Sequence, residues 1–115
     1  MSGYYLPEIT MYKLVFFVPP THLETVKQAV FKAGAGRIGD YEHCCWQVLG
    51  EGQFRPLDGA KPFLGEVGSI EQVSEYRVEM VCQNGLIEPV IKALLGSHPY
   101  EEPAYDVWQL TTLPR

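Results

Sequence analysis

Four stretches of this 115-residue chain gather side chains able to do chemistry. The first is HPYEEP, which sets His98, Glu101 and Glu102 within one turn. An imidazole suits zinc or copper, and a neighbouring carboxylate can ligate the ion or orient the ring. The same string also reads as a rigid double-proline turn whose His and Glu bond the loose groups at the end of a preceding helix. One short motif does not complete a four-coordinate site. A metal here needs His43, a cysteine or a neighbouring subunit as well.

The second stretch, His43-Cys44-Cys45, is a soft-ligand cluster suited to Cu(I) or zinc. On a strand, however, successive side chains point to opposite faces, which favours packing thiols over a shared ion. The third, Gly50 to Gly68, carries five glycines and two prolines around Phe54, Arg55, Pro62, Phe63 and Glu66. Aromatic anchors, one cation and one anion on such a scaffold suit a ligand lid or an intersubunit clasp. The alternative is a hairpin excursion covering a sheet edge. The fourth, Gly34 to Gly39 (GAGRIG), lacks the helix that must follow a phosphate-binding glycine loop. Arg37 there is either an anion contact working with backbone amides or the exposed side chain of a helix-ending turn. The expected metal set is thus His98, Glu101, Glu102, Glu66 and His43, for a divalent ion such as zinc or copper. The expected anion or ligand loop is Arg37, Arg55, Phe54 and Phe63. Ser69, Ser74 and Ser97 sit beside no evident base, and no carboxylates are paired for acid–base work, so no enzyme is expected.

The elements that must position these groups follow from periodicity. Tyr12 to Val18 (YKLVFFV) reads as a buried strand stopped by Pro19-Pro20. Leu23, Val26, Val30 and Ala33 recur at helical spacing until Gly34 and Gly36. His43 to Leu49 is a second strand, and Gly50 to Gly68 a loop with short extended pieces. Val73 to Cys82 alternates, with Tyr76, Val78, Met80 and Cys82 on one face and Arg77 and Glu79 on the other. A second helix runs through Leu86, Val90, Ile91, Leu94 and Leu95, with Pro89 in its first turn and Gly96 at its close. Ala104 to Leu110 is the last strand. The order predicts an α+β, ferredoxin-like βαββαβ domain: an antiparallel sheet with two helices on one face and an extended Gly/Pro-rich loop. The uncovered face, in a chain with seven tyrosines, five phenylalanines and two tryptophans, predicts self-association.

Composition bounds the rest. With 46% hydrophobic and 20% charged residues the chain is globular, not disordered. A net charge of -5 argues against nucleic acid, and no apolar run approaches the ~20 residues of a membrane span. Three cysteines form no disulfide framework and point to the cytoplasm. Residues 1–10 read as an N-terminal extension or expression remnant before a single domain over 11–115.

Three strings are more specific: GRIGDYEHCCW (36–46), GEGQFRPLDGAKPFLGEVGSIEQVSEYRVE (50–79) and HPYEEPAYDV (98–107). Together they resemble the domain inserted in bacterial Nif-three-like proteins, and they match its standalone relatives of the YqfO type more closely in length. HPYE also resembles the CutA family, ferredoxin-like trimers associated with divalent-cation tolerance. More distantly, the architecture is similar to the P-two signalling proteins, trimers that bind nucleotides between subunits. The resemblance covers Met11 to Leu113. It implies a ferredoxin-like subunit of a symmetric homo-oligomer, trimer ahead of dimer, with a small-ligand or metal-sensing role. In full-length relatives the paired metals belong to flanking core domains, which these residues do not include, so that centre and its hydrolytic activity are not implied for this chain. The function expected is a non-enzymatic binding or regulatory module for a divalent metal or small anion. The alternative is a structural assembly module without a ligand.

Overall fold

The computed structural model describes residues 11–111 and 113, so the reading of residues 1–10 and part of the last five lies outside the described residues. Six main elements follow in order: β1 (Met11–Val18), α1 (Leu23–Lys32), β2 (Trp46–Phe54), β3 (Glu71–Gln83), α2 (Ile87–Ser97) and β4 (Tyr105–Gln109). The strands form one antiparallel sheet in the order β2-β3-β1-β4. This is the expected ferredoxin-like arrangement.

Strand register sorts the side chains. Leu14, Phe16 and Val18 of β1 and Val78, Met80 and Cys82 of β3 meet Leu23, Val26, Val30 and Phe31 of α1 and Val90 and Leu94 of α2 in the core. The alternation expected along β3 therefore holds. A short 3-10 turn at Pro20–His22 leads into α1, where proline's missing N–H costs little. Past α1, Gly34 and Gly36 adopt positive φ of 117° and 78°. Gly36 is pinned by two backbone bonds: its N–H donates to Val81 O (2.8 Å), and its carbonyl accepts from the Cys44 N–H (2.8 Å). A Cβ at Gly36 would lie 2.8 Å from a Phe31 ring carbon and 2.9 Å from the Cys44 oxygen. Gly36→Ala should therefore cost at least the ~1–3 kcal/mol of a strained left-handed residue, read as a lower urea midpoint.

The second strand differs from its expected span. His43 has φ of 59°, a left-handed conformation that breaks an extended run, so β2 begins at Trp46. It then continues through Gly50 and Gly52 to Phe54, the start of the stretch expected to be loop. Glycine is tolerated there because Gly52 faces the Glu75 side chain across the hairpin. A Cβ on Gly52 would fall on the Glu75 carboxyl group. The irregular segment is 55–70. Gly96 lies inside α2, which closes one residue later at Ser97, and the Ser97 hydroxyl donates to Ala93 O (2.7 Å).

Residues opposite one another in register share a face. Lys13, Val15 and Phe17 of β1, Glu75, Arg77 and Glu79 of β3, Trp46 and Val48 of β2, and Asp106 and Trp108 of β4 line the face away from the helices. Trp46, Val48 and Trp108 remain 59%, 44% and 46% exposed there. Charges are interleaved with them, including an Arg77–Glu79 pair at 3.4 Å.

Candidate functional site

The β2–β3 loop and the α2–β4 turn meet over the end of the sheet face that the helices leave open. They enclose a cavity of about 300 Å³. Phe17, Phe54 and Glu75 come from the strands, Arg55, Pro62 and Phe63 from the loop, and Tyr100, Glu101 and Glu102 from the turn. The loop is tied down at several points. Arg55 Nε donates to Gly68 O (3.0 Å), the Gly68 N–H donates to Pro56 O (2.8 Å), and the Lys61 N–H donates to Glu101 Oε1 (3.1 Å). The Phe63 ring packs edge-on to His22, 5.5 Å between centroids. Phe54 and Phe63 flank Tyr100 at 6.4 and 6.3 Å.

Tyr100 and Glu75 form the polar floor. The Tyr100 hydroxyl donates to Glu75 Oε2 at 3.4 Å. Burial pushes the Glu75 carboxyl above its ordinary range, partly offset by that hydrogen bond. Burial together with the neighbouring Glu75 carboxylate pushes the Tyr100 phenol up to about 12, so it stays a donor at neutral pH.

His98 sits beneath this floor, only 7% exposed, its ring 4.8 Å from that of Tyr100. Its Nε2–H donates to Phe17 O (2.6 Å) and its Nδ1 accepts the Tyr100 N–H (3.1 Å). The carbonyl acceptor and the N–H donor together assign the neutral Nε2–H tautomer. Both ring nitrogens are thus used within the chain. In this conformation His98 locks the turn to β1 and has no lone pair free for an ion. The rigid-turn alternative describes it better, with the His98 backbone N–H also capping α2 on Leu94 O (3.0 Å).

Of the other expected residues, Phe54, Arg55, Phe63, Glu101 and Glu102 gather at the one cavity. Glu66 is exposed in the loop and does not line it. His43 stacks on Phe31 (4.7 Å, 10°) and lies 3.3 Å from Glu42, beside the segment that bonds the far end of β3. Arg37 is exposed in that same segment. Cys44 and Cys45 line a separate hollow with Trp46 and Lys13. Among the described residues no three His, Cys, Asp or Glu side chains come together as a metal set. Glu75 and Tyr100 were not foreseen as site residues. Their signals were the phase of Glu75 with Arg77 and Glu79, and the place of Tyr100 inside HPYEEP.

The geometry defines a ferredoxin-like α+β fold with a half-open pocket between its hairpin loop and its last turn. No family model matches the chain. It is 51% identical over 102 residues to "GTP cyclohydrolase 1 type 2 homolog" of Mycobacterium leprae, covering 89% of this chain and 26% of that protein. A crystal structure of a Bacillus cereus protein related to NIF3 superposes with a TM-score of 0.79 at 43% identity, over 93% of this chain and 27% of that one. The chain therefore resembles one segment of Nif-three-related proteins and spans about a quarter of their length. CutA from Synechococcus elongatus (TM-score 0.64, 16% identity, 91% and 80% covered) shares the fold. So does the GlnK–ATP complex of Bacillus subtilis (TM-score 0.59, 12% identity, 90% and 86% covered).

Proposed function

We propose that the chain is a non-enzymatic binding or regulatory module that self-associates through the open sheet face and holds a small ligand in the pocket at its edge. The pocket carries this reading: three phenylalanine rings around a hydrogen-bonded Glu75–Tyr100 pair form a built, partly apolar cavity. Such a cavity lies at the small end of the ~300–1,000 Å³ of ligand sites. No Ser, Thr, Cys, Lys or His lies among its lining residues, which supports binding over turnover. Trimer remains ahead of dimer, on the likeness to CutA and P-two folds. Three free cysteines, at 44, 45 and 82, suit a reducing cytoplasm, and no described helix is long and apolar enough to cross a membrane.

A divalent ion is the second reading, favoured by Glu101 and Glu102 standing together at the cavity. It would take its remaining donors from Glu75 or a neighbouring subunit. An assembly module without a ligand is the rival of a different class.

Thermal shift separates these readings. A ligand that binds the folded state at 100 times its Kd adds about 2.7 kcal/mol, a rise on the order of 10 °C in Tm. The wild type should show such a rise with guanosine, ATP or zinc, and Phe54→Ala should remove it while the oligomer mass is unchanged. If none of the three moves the wild-type Tm, the ligand-free assembly module is the better description.

A further inference from the structure

The geometry points to a planar nitrogen heterocycle with adjacent N–H donors as the ligand class, packed among the Phe54, Phe63 and Tyr100 rings and held by its edge on the Glu75 carboxylate. This rests on the pocket being a ligand site, the reading proposed above.

The first support is the balance of charge. Three carboxylates, Glu75, Glu101 and Glu102, line the cavity against one cation, Arg55. Arg55 has its Nε committed to Gly68 O. A small anion would meet net repulsion there. A neutral or weakly cationic ligand would not.

The second is the shape and chemistry of the walls. Phe54 and Phe63 are tilted by 51° and 45° to Tyr100, so a flat ring laid on the face of one meets the others by their edges. A purely apolar ring is disfavoured, since it would strip water from the floor and leave the Glu75 oxygens with one partner, Tyr100, to share.

The third is the unused capacity of Glu75. An ionised carboxylate has about four acceptor positions on two oxygens, and the Tyr100 hydroxyl takes one. Its carboxyl group occupies the space over Gly52, diagonal to it across the hairpin, where any Cβ would displace it. Two parallel N–H groups, as on an amino-substituted ring with a neighbouring ring N–H, match both oxygens in the fork geometry that makes such pairs strong. Being on a strand and not on the loop, Glu75 is fixed before a ligand arrives.

Guanosine and inosine test this with nearly equal size and stacking, both being neutral at pH 7. Guanosine offers a ring N–H beside an amino group, whereas inosine keeps the ring N–H and carries only hydrogen in place of the amino donor. Calorimetry should show the wild type preferring guanosine by about tenfold or more. Glu75→Gln supplies one donor and one acceptor, so it should weaken guanosine by about tenfold and bring inosine level. Should that variant lose its fold by circular dichroism, Tyr100→Phe serves: it keeps the ring stack and the carboxylate, and guanosine should remain preferred. Equal binding of both nucleosides by the wild type overturns the inference. If guanosine fails but ATP or zinc binds in a Phe54-dependent way, the ligand class is wrong and the pocket reading survives. If no probe binds at all, both are overturned.

Discussion

Replacing Trp46 and Trp108 together with glutamate should leave the chain monomeric at concentrations where the wild type sediments as an oligomer. Both indoles stand on the sheet face away from the helices, opposite Glu79 and Lys13 respectively. With Val48 they form an apolar set on a surface whose interleaved charges include the Arg77–Glu79 pair. A stable self-interface hides ~800 Å² per partner, and buried tryptophans are the usual anchors of such contacts. Two anchors at ~2 kcal/mol each weaken association by about a thousandfold, enough to dissociate a micromolar complex. Neither residue belongs to the core between sheet and helices, so the far-UV circular dichroism spectrum should not change. An unchanged sedimentation coefficient would show that this face is not the interface.

His98→Ala should lower stability by about 2–4 kcal/mol. The side chain joins Phe17 O to the Tyr100 N–H from a nearly enclosed position, so its removal leaves two buried groups without partners. The pocket floor should loosen with it, because Tyr100 is positioned through that bond. A pH dependence accompanies this role. Burial, with a smaller contribution from His22, lowers the His98 pKa in the fold, against a raising effect of the bond to Phe17. Between the lowered folded value and the ordinary ~6.5, the unfolded chain binds the extra proton. The stability from neutral His98 is therefore complete above about pH 6.5 and is lost progressively as pH falls from there through the lowered folded value. Urea midpoints at pH 7.5 and 5.5 should fall more for the wild type than for His98→Ala. Parallel falls would show that His98 does not carry the acid sensitivity.

The scaffold was legible because its signals are local. The 3.6-residue spacing of Leu23, Val26 and Val30 and the two-residue alternation of Tyr76 to Cys82 each determine which face is buried. The resemblance in HPYEEPAYDV and the glycine-rich hairpin extended that reading to the class of fold. What local signals missed depends on partners distant in sequence. Gly50 and Gly52 look like loop formers, yet they belong to a strand, since the space above Gly52 is taken by Glu75. His43 looked like part of a strand until its left-handed backbone placed it on Phe31. His98 has the side chain of a ligand, but its partner is a carbonyl 81 residues away, which no spacing rule reveals. Of the nine expected site residues, five converge because the loop and the turn share one end of the sheet. Arg37 and His43 follow α1 towards the other end.

The most direct test of a ligand-holding oligomer is a native mass spectrum of the gently purified protein, taken with and without guanosine and alongside Phe54→Ala. The wild type should appear as a closed oligomer, a trimer ahead of a dimer. It should bind one small organic molecule per subunit, lost in the variant at unchanged oligomer number. A wild-type oligomer that stays bare under every addition, zinc and ATP included, would contradict the binding role and leave an assembly module.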